Sequence, residues 1–319
     1  MHSPLAANVV RVYDETARAL QADPKTLPAV WLYDERGSLL YDEITRLPEY
    51  YLPRRERELL RVHGRTIAER TRARTLVDLG AGGAGNTRYL LDALEAAGTL
   101  EEFVPLDVSE EMLHASSRSI ATEYPDVVVS PLVGDFERDL DVLHDPGQRL
   151  IALLGSTIGN FEPARRARFL KALAAVLAED DALLLGLDLV KDPARLEGAY
   201  NDAAGITEAF VRNALDAVNR ELGATFDQSL FAYEARWDAE HEWMTIGFRA
   251  LRAHSVWFPR LHLDVAFEEG EPLRVEISAK FRRDRFEREA VRAGLHIDSW
   301  WTDDQGDFAV TVLTRRKET

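Results

Sequence analysis

The sequence predicts a doubly wound α/β fold joined to a second, α+β domain, and three observations carry that prediction. Between about residues 55 and 190, short apolar runs of strand length alternate with stretches of helical spacing. That is the pattern of a parallel sheet covered on both faces. A glycine-rich turn, Gly80-Ala81-Gly82-Gly83-Ala84-Gly85, joins the first of those runs to the helix after it. Beyond residue 190 the alternation gives way to period-two segments that suit antiparallel hairpins.

Taken in order, RTLVDL (74–79) is a buried-strand run, and NTRYLLDALEAAG (86–98) is a helix closed by glycine. EFVPLDV (102–108) is the next strand, and Ser109 is placed to cap SEEMLHASSRSIATEY, whose first turn is acidic. DVVVSPLVGDF (126–136), RLIALLGS (149–156) and DALLLGLDLV (181–190) supply three more strands, with PARRARFLKALAAVLAED (163–180) an amphipathic helix between the last two. Helical spacing over 204–222 then precedes strand-like alternation near 229–238, 241–252, 254–266 and 273–281. FEREAVRAGL (286–295) is helical, and IDSWWTDDQGDFAVTVL (297–313) reads as a hairpin that completes the sheet begun at residue 75. One domain is therefore expected from 55–189 with 281–319, the other from 1–54 with 190–280, and VEISAKF (275–281) lies at the seam.

Composition narrows the class of function. The 319 residues are 46% hydrophobic and 29% charged, the balance of a soluble globular protein. The longest apolar runs are too short to span a bilayer, and the N-terminus lacks a basic region followed by an apolar signal core. No membrane partner and a cytoplasmic location are expected. The absence of cysteine excludes disulfides, thiolate zinc sites and a cysteine nucleophile. Eight scattered histidines without an HxxxH pair argue against a metal, and a formal charge of −16 argues against a nucleic-acid partner.

The glycine turn satisfies GxGxxG between strand and helix, where backbone can approach a ligand closely. By itself it does not separate a nicotinamide dinucleotide from S-adenosylmethionine (SAM), and Asp107 after the second strand suits the ribose of either. Asp135, in Gly134-Asp135-Phe136 after the third strand, favours SAM, because a carboxylate there accepts from an adenine amino group while Phe136 packs nearby. Ser156, Thr157 and Asn160 in GSTIGNF follow the fourth strand, where open α/β sheets place ligands. In VEISAKF, Glu276 and Ser278 alternate with apolar residues and share one side of a strand. That side is either a solvated face or the wall of a polar cleft.

Several stretches together resemble one family, the SAM-dependent histidine Nα-methyltransferases that form hercynine in ergothioneine synthesis. They are ITRLPEYY (44–51), GDFE (134–137), GSTIGN (155–160), LGLDLVKD (185–192), AYNDAAG (199–205), VNREL (218–222), VEISAKF and WWTD–GDF (300–308). The resemblance implies a Rossmann-like SAM-binding methyltransferase sheet with a second α+β substrate-binding domain. It assigns SAM contacts to Tyr50, Gly80, Asp107, Asp135 and Phe136, and L-histidine contacts to Tyr33, Asn160, Tyr200, Glu276 and Ser278. Gly155 falls beside the methyl-transfer position, and Tyr33, Gly155 and Asn160 form the catalytic set. An imidazole N–H needs an acceptor, which Glu276 supplies, while Ser278 serves the other nitrogen; Tyr33, Tyr200, Glu276 or a water takes the amine proton.

Two positions depart from the family. Asn86 stands where a lysine usually pairs with the SAM carboxylate, leaving Arg88 as a candidate substitute cation. Ile246 falls roughly where a methionine lines the substrate pocket. The expected enzyme is a monomer that trimethylates free histidine. The alternatives are a related enzyme acting on a tryptophan derivative, a nicotinamide-dependent dehydrogenase, and a SAM-binding regulator without catalysis.

Overall fold

A computed structural model describes residues 4–143 and 147–316 of the chain. It divides into two compact units, one formed by Leu52–Val190 with Ala279–Thr319 and the other by the residues up to Tyr51 with Lys191–Ser278. The division falls inside VEISAKF, between Ser278 and Ala279.

The first unit is built on a sheet whose strands run in the order Leu295–Thr302, Phe308–Arg315, Ala182–Asp188, Arg149–Leu153, Thr75–Leu79, Glu102–Asp107, Val128–Val129. The five strands from Ala182–Asp188 onward pair in parallel, and the C-terminal hairpin joins them antiparallel through Phe308–Arg315. This is the doubly wound α/β class, with the terminal hairpin completing the sheet. Every residue of Arg149–Leu153 and Ala182–Asp188 is buried, which accounts for their unbroken apolar runs. Leu106, Ile151, Leu183 and Leu185 pack with Phe169, Leu173 and Phe286 in one core.

Three local expectations in this unit need correction. The run 126–136 does not form one strand; only Val128–Val129 and Leu132–Val133 pair with the neighbouring strand, and Pro131 between them has no N–H to donate to a ladder. Ser109 occupies the N-cap position of Glu110–Glu123 but makes no side-chain cap bond; its backbone N–H donates to Asp107 Oδ1 at 2.9 Å. The helix opened by Pro163 ends at Val176, short of residue 180.

The second unit combines the helices Pro4–Leu20, Glu35–Ile44, Pro193–Tyr200 and Ile206–Leu222 with a sheet ordered Lys25–Thr26, Pro272–Ala279, Trp243–Ala250, Phe231–Asp238. Asp34 caps Glu35–Ile44, accepting from the Gly37 N–H at 2.7 Å. The expected strand 254–266 is a hairpin, His254–Phe258 with Leu263–Phe267, turned by Pro259–Leu261 and His262 at φ 49°. Among the described residues no helix is long and apolar enough to cross a membrane.

Candidate active site

Parallel strands end on one edge of their sheet, so the loops after Leu79, Asp107, Val133 and Leu153 are gathered there. Gly80 turns the chain at φ +73°, and a Cβ added to it would lie 3.2 Å from the Phe136 ring. The missing side chain at Gly80 therefore lets the Phe136 ring approach the glycine turn closely. Asp107 fixes the same turn: its Oδ2 accepts from the Gly82 N–H at 2.9 Å, while its Oδ1 holds Ser109. Asp135 accepts from the Glu137 N–H at 3.0 Å and lies 3.4 Å from the Arg138 guanidinium. Gly155, at φ +71°, and Ser156, at φ 58°, turn the chain after Leu153 into the short helix Thr157–Asn160, which ends on Asn160. Gly80, Asp107, Asp135, Phe136, Gly155 and Asn160 thus stand on consecutive loops of one sheet edge. Glycine backbone, carboxylates and an aromatic ring on one sheet edge are groups able to hold an adenosyl ligand.

Beneath this edge lie two carboxylates that sequence reasoning missed. Glu56, on Leu52–Thr71, is 1% exposed; its Oε1 accepts from the Gly155 N–H at 2.7 Å and its Oε2 from the Asn86 amide at 2.8 Å. Burial pushes its pKa up to about 7, opposed by those two hydrogen bonds and reinforced by Asp78. Asp78, inside the first sheet strand, accepts from the Thr87 hydroxyl at 2.5 Å, and burial likewise raises it to about 7, with Asp107 adding to the shift. The signal for Glu56 was available: it shares a helical face with Leu52, Leu59 and Leu60, all buried. Asn86 also donates to the Pro53 carbonyl at 3.1 Å, so its amide is engaged within the protein. Arg88 binds Glu123 at 2.6 Å and the Gly83 and Ala84 carbonyls, which makes it a clasp on the glycine turn.

The second unit gathers the other residues. Tyr200 donates to Ser278 Oγ at 2.8 Å, and Tyr233 donates to the Tyr200 carbonyl at 2.6 Å. Glu276 is half-buried two positions before Ser278 on Pro272–Ala279. Tyr50 is 7% exposed and meets Tyr200 edge to face at 5.9 Å between ring centroids. Burial first, then Tyr41, Tyr200, Tyr33 and Glu276, hold its hydroxyl well above the usual tyrosine range. Tyr50, assigned to SAM by resemblance, is thus grouped here with Tyr200. Tyr33, 39% exposed, packs edge-on against Tyr41 at 5.9 Å and Phe210 at 5.5 Å. Sequence reading missed Tyr41, Phe210 and Tyr233, aromatic residues that carry no motif. Ile246 is buried, on the strand beside Pro272–Ala279.

The family model described as "Histidine-specific methyltransferase, SAM-dependent" matches residues 12–315. A "Histidine N-alpha-methyltransferase" of Mycobacterium tuberculosis is 47% identical over 296 residues, covering 93% of this chain and 92% of that protein. "Ergothioneine biosynthesis protein 1" of Neurospora crassa is 32% identical over 284 residues, 88% of this chain and 32% of the fungal protein. A "4-dimethylallyltryptophan N-methyltransferase" of Claviceps fusiformis is 28% identical over 335 residues, covering 96% of this chain and 92% of that one. The chain belongs to the histidine-specific, SAM-dependent methyltransferase family.

Proposed function

We propose that this enzyme transfers three methyl groups from SAM to the α-amine of free L-histidine, forming hercynine, the first step of ergothioneine synthesis. The observation that carries the substrate reading is the Tyr200–Ser278 hydrogen bond on the strand that also bears Glu276. Accepting from Tyr200 commits a Ser278 lone pair and favours the donor role for the serine's own hydrogen. That suits an imidazole nitrogen without a proton, while Glu276 accepts from the nitrogen that carries one. An indole has a single ring N–H and no such acceptor, so this polarity favours histidine over a tryptophan derivative.

SAM, when bound, supplies a methyl group activated by its sulfonium, with a neutral thioether as the leaving group. The chain's task is then geometry, because holding reacting atoms about 3–3.5 Å apart and in line removes much of a displacement barrier. Gly80, Asp107, Asp135 and Phe136 would hold the adenosyl part, with Tyr50 and Asn86 as further contacts. Asn160 and Tyr200 would hold the amino acid's carboxylate and amine, and Gly155 leaves room where the methyl group passes. The faces of Tyr33 and Tyr50 suit the quaternary ammonium that accumulates on nitrogen. The enzyme is read as a cytoplasmic monomer that needs no metal.

The test is incubation with SAM and each of the twenty amino acids, plus a prenylated tryptophan, with products read by mass. Histidine alone should gain three methyl groups. Methylation of the tryptophan derivative with untouched histidine would overturn the substrate reading.

A further inference from the structure

A carboxylate sealed from water with no cation beside it is costly, and it persists where something else compensates it. Glu56 is such a group. Its donors are the neutral Asn86 amide and the Gly155 N–H, and no ion pair to it exists among the described residues. Its seat is built to size: a Cβ at Gly186 would fall 2.1 Å from Glu56 Oε1, so the bare glycine admits the carboxylate. A glutamine has the same bulk but one acceptor oxygen, so its amide N–H would face either Asn86 or the Gly155 N–H, whereas a carboxylate accepts from both. Those two hydrogen bonds account for a carboxylate at this position but bring no positive charge to it.

We propose that Glu56 is a positioning residue that sets selectivity for the methyl donor: its buried carboxylate, holding Asn86 and Gly155, favours sulfonium-bearing SAM over the neutral thioether left after transfer, S-adenosylhomocysteine. The inference rests on the reading that Asn86 and Gly155 border the donor. The positive charge missing from the protein arrives with SAM and leaves when the methyl group does, so spent product is released in preference to fresh donor.

The neighbouring charges do not substitute for it. Asp78 faces Glu56 from the adjacent strand and makes its ionisation harder. Arg55, on the same helix, lies 3.4 Å from Glu58 and 3.6 Å from Asp307, while Lys280 and Asp188 pair with each other at 2.7 Å. On the helix packed alongside, Asp92 accepts from Tyr124 and Arg88 is held by Glu123. The raised pKa, about 7, means that SAM binding near neutrality completes the ionisation of Glu56 and releases a proton.

The test is calorimetric titration of the whole protein with SAM and with S-adenosylhomocysteine, from about pH 6 to about pH 8, in buffers of differing ionisation enthalpy. The two ligands share adenosine and amino-acid tail, so the ratio of their affinities isolates the sulfonium. In the wild type the preference for SAM should grow about tenfold (~1.4 kcal/mol) across that interval. SAM should also release a fraction of a proton that the thioether does not. Glu56→Gln should bind both ligands with a reduced preference that varies less with pH than the wild type's, Asp78 being the other group that titrates near 7. A flat wild-type ratio without excess proton release overturns the proposal, as does a Glu56→Gln variant that keeps the wild-type profile. If that variant does not fold, Asp78→Asn decides: a preference for SAM that still grows with pH leaves Glu56 as the titrating group, and a flat one overturns the proposal. A wild type that binds neither ligand overturns the methyltransferase reading itself, a different failure from a flat ratio.

Discussion

Tyr200 donates its hydroxyl hydrogen to Ser278 Oγ across 2.8 Å, and Ser278 follows Glu276 by two positions on the same strand. A phenol from a helix end and a hydroxyl from a strand thus orient one another next to a carboxylate. Ser278→Ala removes the acceptor and leaves the Tyr200 hydroxyl without it. A lost hydrogen bond of this kind costs about 1–1.5 kcal/mol, so KM for histidine should rise roughly tenfold. Affinity for SAM, measured separately by calorimetry, should stay near the wild-type value.

Glu276→Gln keeps the shape of the side chain and removes its charge. A hydrogen bond to a charged acceptor contributes about 1.5–3 kcal/mol, so kcat/KM for histidine should fall by about tenfold to a hundredfold. Steady-state kinetics check this, and an unchanged kcat/KM would remove Glu276 from the substrate site.

Asp107 holds Gly82 and Ser109 through one oxygen each. Asp107→Ala releases both backbone groups and unties the glycine turn. SAM affinity should drop at least tenfold in a direct binding measurement, with thermal stability of the sheet unit reduced as well.

The sheet was legible because 150–153 and 182–187 are buried on both faces and carry no polar side chain. The 126–136 run was misread for the complementary reason: apolar composition resembled a strand, but Pro131 interrupts pairing there. The hairpin 254–267 was hidden because His262 reaches φ 49° where no glycine marks the turn. At the site, loop positions such as Gly80 and Asp107 announce themselves by motif. Glu56 does not, because in LPRRERELL it is one charge among several, and only its helical phase with Leu52, Leu59 and Leu60 marks it as buried.

Stability should carry the imprint of the buried carboxylates. Glu56 and Asp78 have pKa values raised to about 7 when folded, so the native state binds more protons than the unfolded chain between about pH 4 and 7. Their contribution to stability is therefore greatest below the unfolded pKa and is lost as pH rises through about 7. Glu56→Gln removes the larger side chain's share, on the order of 3 kcal/mol at most. The difference in Tm between variant and wild type should shift in the variant's favour from about pH 5 to about pH 8. A difference constant across that range would contradict the buried-carboxylate account.

Gly186→Ala forces the same carboxylate to move without changing any charge, since the new Cβ would fall 2.1 Å from Glu56 Oε1 and 3.1 Å from Phe308. The expected result is a loss of stability of about 1–3 kcal/mol in denaturant unfolding, together with weaker SAM binding.

The central claim is that the α-nitrogen of histidine is the atom methylated. Reaction of L-histidine with SAM carrying a ¹³C-labelled methyl group, followed by NMR of the product, tests it most directly. One resonance from three equivalent methyl groups on the α-nitrogen, with the imidazole unmodified, is the expected result. Label on a ring nitrogen, or no label on histidine at all, would contradict it.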